Sequence, residues 1–501
     1  MTSKGQHGTC AGKQTGLIGI AILLLAGFCL GQPAVSLSPK DGSPTTTLRV
    51  SGSGFTPYSQ IDIFFDTQDQ ALVVTDATGA FSGIAIQAPA SAVPGKHWVS
   101  VVERSGHRAK QEIFESHVNW TQFHTKNMKR RNPYENVLSV HNVGKLQGLW
   151  KYQTGDKIYA SPAVVDGVVY IGSLDGNVYA LDADSGAELW SSNVGVHESS
   201  VAVAGGVVYV GSMEDHGIHA LSAKTGEQLA TYPTGLWVQS SPAVVDRVVY
   251  VGSYDGSVYA LNAHTHLLWT YQTGYFVYSS PAVDHGVVYI GSLDDNVYAL
   301  DASTGTELWR YTTGDQIYSS PAVANGVVYI GSYDHNVYAL NAQTGALLWR
   351  YATGWAIGSS PAVADGAVYI GSNDHKVYAL DANTGALLWS FPTGAMEEGA
   401  SPAVANGVVY FGSEDHNFYA VNARTGALLW KHKTGNLIVG SPAVVNGVVY
   451  IGSLDDNVYA FALPAGLAKS APQRPNLRTL RPDLNLKVST SQPVLAKLRA
   501  D

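Results

Sequence analysis

The chain has 501 residues, of which 45% are hydrophobic and only 14% charged, with 53 glycines, 28 tyrosines and 11 tryptophans. That length exceeds one ordinary domain, the apolar content excludes a disordered chain, and the glycine content argues against a helix-rich one. A formal net charge of -9 leaves no electrostatic reason to expect nucleic acid, because phosphate binding needs a local excess of Lys and Arg.

At the N-terminus Lys4 and Lys13 accompany an apolar run from Leu17 to Leu30, and polar character returns at Gly31-Gln32-Pro33. This order is that of a secretory signal peptide over residues 1–31. The run is too short for the roughly 20 residues that a membrane-spanning helix needs, so no span is expected after cleavage. Cys10 and Cys29 both fall in this segment, which leaves the body without a disulfide framework or a thiolate metal site. The expected location is secreted or in the cell envelope, periplasmic or surface-associated.

From residue 35 to 116 short alternating runs such as Thr47-Leu48-Arg49-Val50 and Trp98-Val99-Ser100-Val101 are separated by turn signals at Asp41-Gly42 and Pro94-Gly95. Five to seven such strands predict a small β-sandwich, immunoglobulin-like in plan. Residues 117–148 read as a linker carrying the basic residues Lys126, Lys129, Arg130 and Arg131.

From residue 149 to 463 the chain repeats itself. Ser-Pro-Ala-Val recurs with its proline at Pro162, Pro242, Pro281, Pro321, Pro361, Pro402 and Pro442, and Ser200-Val201-Ala202-Val203 fills the gap. Each copy continues with an apolar strand, a turn containing Asp, a Val-Tyr-Ala strand and a Leu-Trp strand, the pattern of a four-stranded propeller blade. A Leu-Trp strand precedes the first copy at Leu149-Trp150 and none follows the last, so the first strand should complete the eighth blade and close the ring. The expected fold is all-β: an eight-bladed propeller preceded by a small sandwich. Residues 464–501, rich in Pro, Lys and Arg, read as a tail that is disordered or laid along the surface.

The run Ala180-Leu-Asp-Ala-Asp-Ser-Gly186-Ala-Glu-Leu-Trp190 resembles the tryptophan-docking motif of quinoprotein propellers, the repeat named after pyrroloquinoline quinone (PQQ). The motif recurs through Trp309, Trp349, Trp389 and Trp430, with one copy departing at Ala230 and another shortened at Thr265-His266-Leu267. The resemblance implies that Trp150, Trp190, Trp269, Trp309, Trp349, Trp389 and Trp430 are structural docking residues. It implies two functions: a non-catalytic scaffold for a protein, peptide or glycan, or a PQQ- and calcium-dependent dehydrogenase of alcohols or sugars. The even spacing leaves little material for a lid, and the adjacent cysteine pair of many such dehydrogenases is absent, so the scaffold is the expected function and no cofactor is expected with it.

Residues shared by all copies serve the scaffold, so recognition is sought where the copies differ, in the loop leading from each outer strand to the next inner strand. There Tyr159, Trp237, Tyr275, Phe276, Tyr318, Trp355, Glu397 and Glu398 form the candidate ligand-binding face. Aromatic and acidic groups around a funnel suit stacking and cation–π contact. The repeated turn Asp residues are read as satisfying their own turns, and no catalytic residue stands out.

Overall fold

The computed structural model describes residues 32–106, 108–125, 128–395, 399–468 and 472–489. The signal-peptide reading of residues 1–31 lies outside them, as do Lys126, Glu397 and Glu398. Among the described residues no helix is long and apolar enough to cross a membrane.

The N-terminal strands form two facing sheets. Ala34–Ser38, Thr47–Ser53 and Phe81–Gln87 make one, and a five-stranded sheet runs in the order Asp41–Gly42, Ala109–Ser116, Gly95–Glu103, Gln60–Phe65, Gln68–Val74. Leu48, Val50, Ile61, Ile63, Phe65, Val99, Val101 and Phe114 are buried together between them, which is the consequence of alternating apolar residues on paired strands.

Eight four-stranded antiparallel sheets follow, one of them extended by the two-residue strand Arg131–Asn132. Their innermost strands, from Ala163–Val165 to Ala443–Val445, neighbour one another in an unbroken cycle. The eighth sheet is completed by Gln147–Gln153, which pairs antiparallel with Asn457–Ala462 and closes the ring from the opposite end of the array.

The blade can be followed across one row. In the fifth, Ala322 pairs with Tyr329, Tyr329 with Ala339 and Ala339 with Trp349. The Tyr329 hydroxyl and the Trp349 indole N–H both donate to the Ala382 carbonyl of the next blade, each at 3.0 Å. Trp150, Trp190, Trp269, Trp309 and Trp389 make the same bond to Ala183, Ala223, Ala302, Ala342 and Ala423. Trp430 donates instead to the Leu146 carbonyl, next to the 3-10 turn Val143–Lys145, because the outer strand of the eighth blade arrives from upstream. The Tyr410 hydroxyl at that junction is consequently left buried without a hydrogen-bond partner among the described residues.

The stretch expected as a linker does more than connect. Residues 120–125 and 128–132 lie along the inside of the ring and meet the blades in order. The N–H groups of Val164, Val203, Val323, Val363 and Val404 donate to the carbonyls of Trp120, Thr121, Met128, Lys129 and Arg130 at 2.8–3.1 Å. That of Val244 donates to Gln122 Oε1, and Asn132 Nδ2 donates to the Val444 carbonyl. These bonds pair inner edges that would otherwise line the channel unsatisfied. Arg130, fully buried, donates to the carbonyls of Pro402, Phe123 and Ser401, and its guanidinium carbon lies 4.4 Å from the Phe123 ring centroid. Burial pushes its pKa down to about 9, which leaves it charged at neutral pH.

The C-terminal segment lies on the sandwich. Val488 bridges Leu72, and Arg474 donates to Gln111 Oε1 with its guanidinium carbon 5.0 Å from the Trp98 ring centroid.

Candidate functional site

The serine that opens each Ser-Pro-Ala-Val builds the neck of the funnel. The Ser161 N–H donates to Ser200 Oγ, Ser200 to Ser241, and so on through Ser280, Ser320, Ser360, Ser401 and Ser441, whose N–H returns to Ser161 Oγ; all eight bonds measure 2.8–3.0 Å. The degenerate second copy loses its proline but keeps this serine.

Above the neck opens a cavity of about 360 Å³, with Phe123 of the threading segment among its lining residues. The residue two before each ring serine sets its wall. In blade order these are Tyr159, Glu198, Gln239, Tyr278, Tyr318, Gly358, Gly399 and Val439, and all eight line the cavity. Tyr333, Glu414, Leu437 and Leu454 complete the rim. The variable loops are pinned by backbone bonds to the neighbouring Gly-Ser-X-Asp turns: Tyr254 N–H to the Trp237 carbonyl, Tyr333 to Gln316, Leu454 to Leu437.

Tyrosines form a connected wall. Tyr254 meets Tyr278 at 6.3 Å between centroids, Tyr278 meets Tyr318 at 5.3 Å, and Tyr318 stacks on Tyr333 at 4.5 Å. Outward from Tyr254 the series continues to Trp237 at 5.9 Å and to Phe276, which stacks on Tyr254 at 4.9 Å and on Tyr275 at 4.2 Å. The Tyr278 hydroxyl donates to Glu198 Oε2 at 3.1 Å. Desolvation raises the Glu198 carboxyl above its ordinary pKa, against the Tyr278 hydrogen bond and the charge of His197. Desolvation, reinforced by the charge of Glu198, also raises the hydroxyls of Tyr159, Tyr254 and Tyr278, so these stay protonated across the physiological range.

Of the residues expected from sequence, Tyr159 and Tyr318 line the cavity. Trp237, Tyr275 and Phe276 form the outer part of the aromatic series, Trp237 and Tyr275 being exposed. Trp355 is 60% exposed and stacks on His335 at 6.0 Å, away from the cavity lining. Glu198 and Gln239 belong to the variable loops in which recognition is sought but are not in the candidate set, and Tyr254, Tyr333 and Glu414 lie outside those loops. The signal was present at the X of Gly-Ser-X-Asp, which reads Leu174, Tyr254, Leu293, Tyr333, Asn373, Glu414 and Leu454.

The turn aspartates are occupied within their own blades. Asp175 Oδ2 accepts from the Gly155 N–H and the Tyr179 hydroxyl, and Oδ1 from the Asn177 N–H; Asp255, Asp294, Asp334, Asp415 and Asp455 hold the same Gly and Tyr partners in their copies. Among the described residues no group of three or more His, Cys, Asp or Glu is arranged to hold a metal ion.

The family profile described as outer membrane protein assembly factor BamB matches residues 174–276, 267–401 and 373–469, and that of the glucose/ethanol/alcohol dehydrogenase β-propeller domain matches residues 120–200. No curated protein sequence matches the chain. Among solved structures, BamB from Moraxella catarrhalis is similar with a TM-score of 0.56 at 20% identity, over 63% of this chain and 99% of that one. A europium-containing methanol dehydrogenase has a TM-score of 0.61 at 16% identity, over 69% and 98%. The computationally designed Ika8 protein has a TM-score of 0.58 at 20% identity, over 63% and 99%. An assembly factor, an enzyme and a designed protein share this architecture, so the likeness carries the fold and no function. The first profile spans more than half of the sequence, and the chain belongs to the PQQ-type repeat family of β-propellers that the BamB profile describes.

Proposed function

We propose that the chain is a non-catalytic propeller of the cell envelope or a secreted one, and that it binds a ligand or partner protein in the funnel and on the aromatic rim around it. The observation that carries this reading is the division of labour at the neck. Eight identical serines hold the ring, while the residues two positions earlier differ from blade to blade and converge on one cavity. A site built from the copy-specific residues of a symmetric scaffold is a recognition site by construction. The BamB profile match over the propeller supports a protein partner.

The lining also bears on the dehydrogenase alternative. PQQ is a tricarboxylic quinone, and among the described lining residues none is Lys, Arg or His, whereas Glu198 and Glu414 are present. The quinone's carboxylates would meet like charge, and the donor set does not fit it.

The test is a titration of the purified protein with PQQ and calcium, following tryptophan fluorescence and dye-linked oxidation of alcohols and sugars. A flat response is expected; saturable binding with turnover would overturn the reading. Trp237→Ala and Trp355→Ala should each weaken capture of a partner recovered by crosslinking in envelope fractions, with unchanged thermal unfolding. Undiminished capture by both would remove the rim from the binding face.

A further inference from the structure

We infer that the funnel receives an organic cation, an ammonium, quaternary ammonium or guanidinium group seated against Tyr159, Tyr278 and Tyr318 with Glu198 as its counter-ion; this rests on the non-catalytic reading of the same site.

The cavity supplies acceptors and π-faces, and none of its described lining residues is cationic. Glu198 has one described hydrogen bond, from the Tyr278 hydroxyl, which leaves its other oxygen turned to no protein donor among the described residues. Gln239, the next residue around the wall, has a buried Oε1 with no hydrogen-bond partner among the described residues. A buried acceptor left unmade costs about 1–3 kcal/mol, and a rotation of the Gln239 amide that turned Oε1 into the cavity would let a donating ligand recover that cost. Tyrosine rings flank these acceptors on both sides, and the face of such a ring attracts a cation.

The order of the wall makes room for it. In a ring of eight, positions four apart lie across the channel from each other. Glu198 is therefore opposite Gly358, and Gln239 opposite Gly399, two wall positions without a side chain. Tyr159 and Tyr318 face each other across the same space. The cavity of about 360 Å³ stands at the small end of ligand pockets and fits a head group or one side chain, not a folded segment. Arg130, the buried cation of the threading segment, does not line the cavity, and its donors are directed to three carbonyls.

The same chemistry could come from a free small cation or from a Lys or Arg side chain of a partner. Isothermal titration calorimetry on the protein would compare choline, a Gly-Lys-Gly peptide and a Gly-Arg-Gly peptide with three controls: 3,3-dimethylbutan-1-ol, which is the uncharged isostere of choline, then acetate, then glucose. Saturable binding of at least one cation is expected, with the isostere weaker by roughly tenfold or more, as a desolvated cation–π and ion-pair contact implies. Preference for choline would assign a free cation and preference for a peptide a partner's side chain. Glu198→Gln should weaken binding by a similar factor. Gln239→Lys, which puts an ammonium into the cavity from the wall, should abolish it, and provides an independent test if Glu198→Gln does not fold.

Equal binding of choline and its isostere, unchanged binding by a folded Glu198→Gln, or preference for acetate or glucose would each overturn the inference. The two readings separate in the same protein. Quinone-dependent turnover would overturn the non-catalytic reading whatever choline does, whereas failure of every cation without turnover would overturn the cation assignment alone.

Discussion

Docking of one blade on the next makes a sharp prediction at Trp309 and Gly345. Trp309 is 9% exposed, its N–H donates to the Ala342 carbonyl at 2.9 Å, and its ring lies over the Gly345 turn of the next blade. An indole buries roughly 150–250 Å², about 4–6 kcal/mol gross at ~25 cal/mol per Å², and Trp→Ala in a core costs about 3–5 kcal/mol. Gly345 sits at φ +70, and a Cβ there would stand 2.7 Å from Trp309 Cε3. Gly345→Ala therefore carries two costs, about 1–2 kcal/mol for the left-handed backbone and about 1–3 kcal/mol for overpacking against the ring. Once Trp309 is Ala the second cost disappears. The double variant should be more stable than the sum of the single losses by about 1–3 kcal/mol, read from urea unfolding followed by circular dichroism. Additivity within about 0.5 kcal/mol would refute the reasoning. At the junction that lacks its tryptophan, at Ala230, the facing turn is one residue shorter and carries Thr265 at φ 59.

Three further outcomes follow from individual contacts. Ser320→Ala removes the acceptor of the buried Ser280 N–H and should cost about 1–3 kcal/mol in urea unfolding; no loss would show that the serine ring is not a source of stability. In the sandwich, His97 Nδ1 and Nε2 each lie 2.7 Å from an acceptor, Asp66 Oδ2 and the Val93 carbonyl, so the ring must be protonated to satisfy both. Burial opposes that charge, and Asp66 together with the Val93 carbonyl more than offsets it, which raises the pKa. The stabilisation is therefore complete below the ordinary histidine value of about 6.5 and lost as pH rises through the raised one. The sandwich transition in calorimetry should move down across that window and stay level in His97→Asn. In the funnel, the raised Glu198 carboxyl should cause choline affinity to fall on acidification at a pH above the usual glutamate value of about 4.3. Of the other groups around the cavity, Tyr159, Tyr254 and Tyr278 stay protonated, and His197→Asn and Glu414→Gln should each keep the profile if Glu198 is its origin.

What the sequence disclosed and what it withheld divide along the repeat. Eight aligned copies average out local ambiguity: a strand apolar at every position, a turn Asp and a Leu-Trp strand recur in one order, and the displaced Leu149-Trp150 announces the pairing of Gln147–Gln153 with Asn457–Ala462. The segment 117–148 occurs once and has no copy to compare. Its cationic residues suggest a solvated connector, yet Arg130 is fully buried because three carbonyls and the Phe123 ring surround it. The serine of Ser-Pro-Ala-Val suggests small size, whereas its hydroxyl is what the neighbouring N–H requires. Trp237 and Trp355 attracted attention as rare large residues, but the cavity wall is set by register, two residues before each serine, and register is visible only once the ring is assembled.

The threading segment also separates the two ends of the ring. Each inner strand runs from its ring serine, at the funnel, toward a hairpin at the far end, and the far hairpins are where the sandwich attaches. The Val118 N–H donates to Asn446 Oδ1 in the eighth blade's hairpin, and His117 lies 3.3 Å from Asp166 in the first. Between these ends residues 120–125 and 128–132 are bonded to the inner strands, and Phe123 stands in the funnel's lining. On the proposed reading, recognition at the rim and attachment of the sandwich use opposite ends of the ring, and a partner seated in the funnel leaves the sandwich and the C-terminal segment packed on it uncovered.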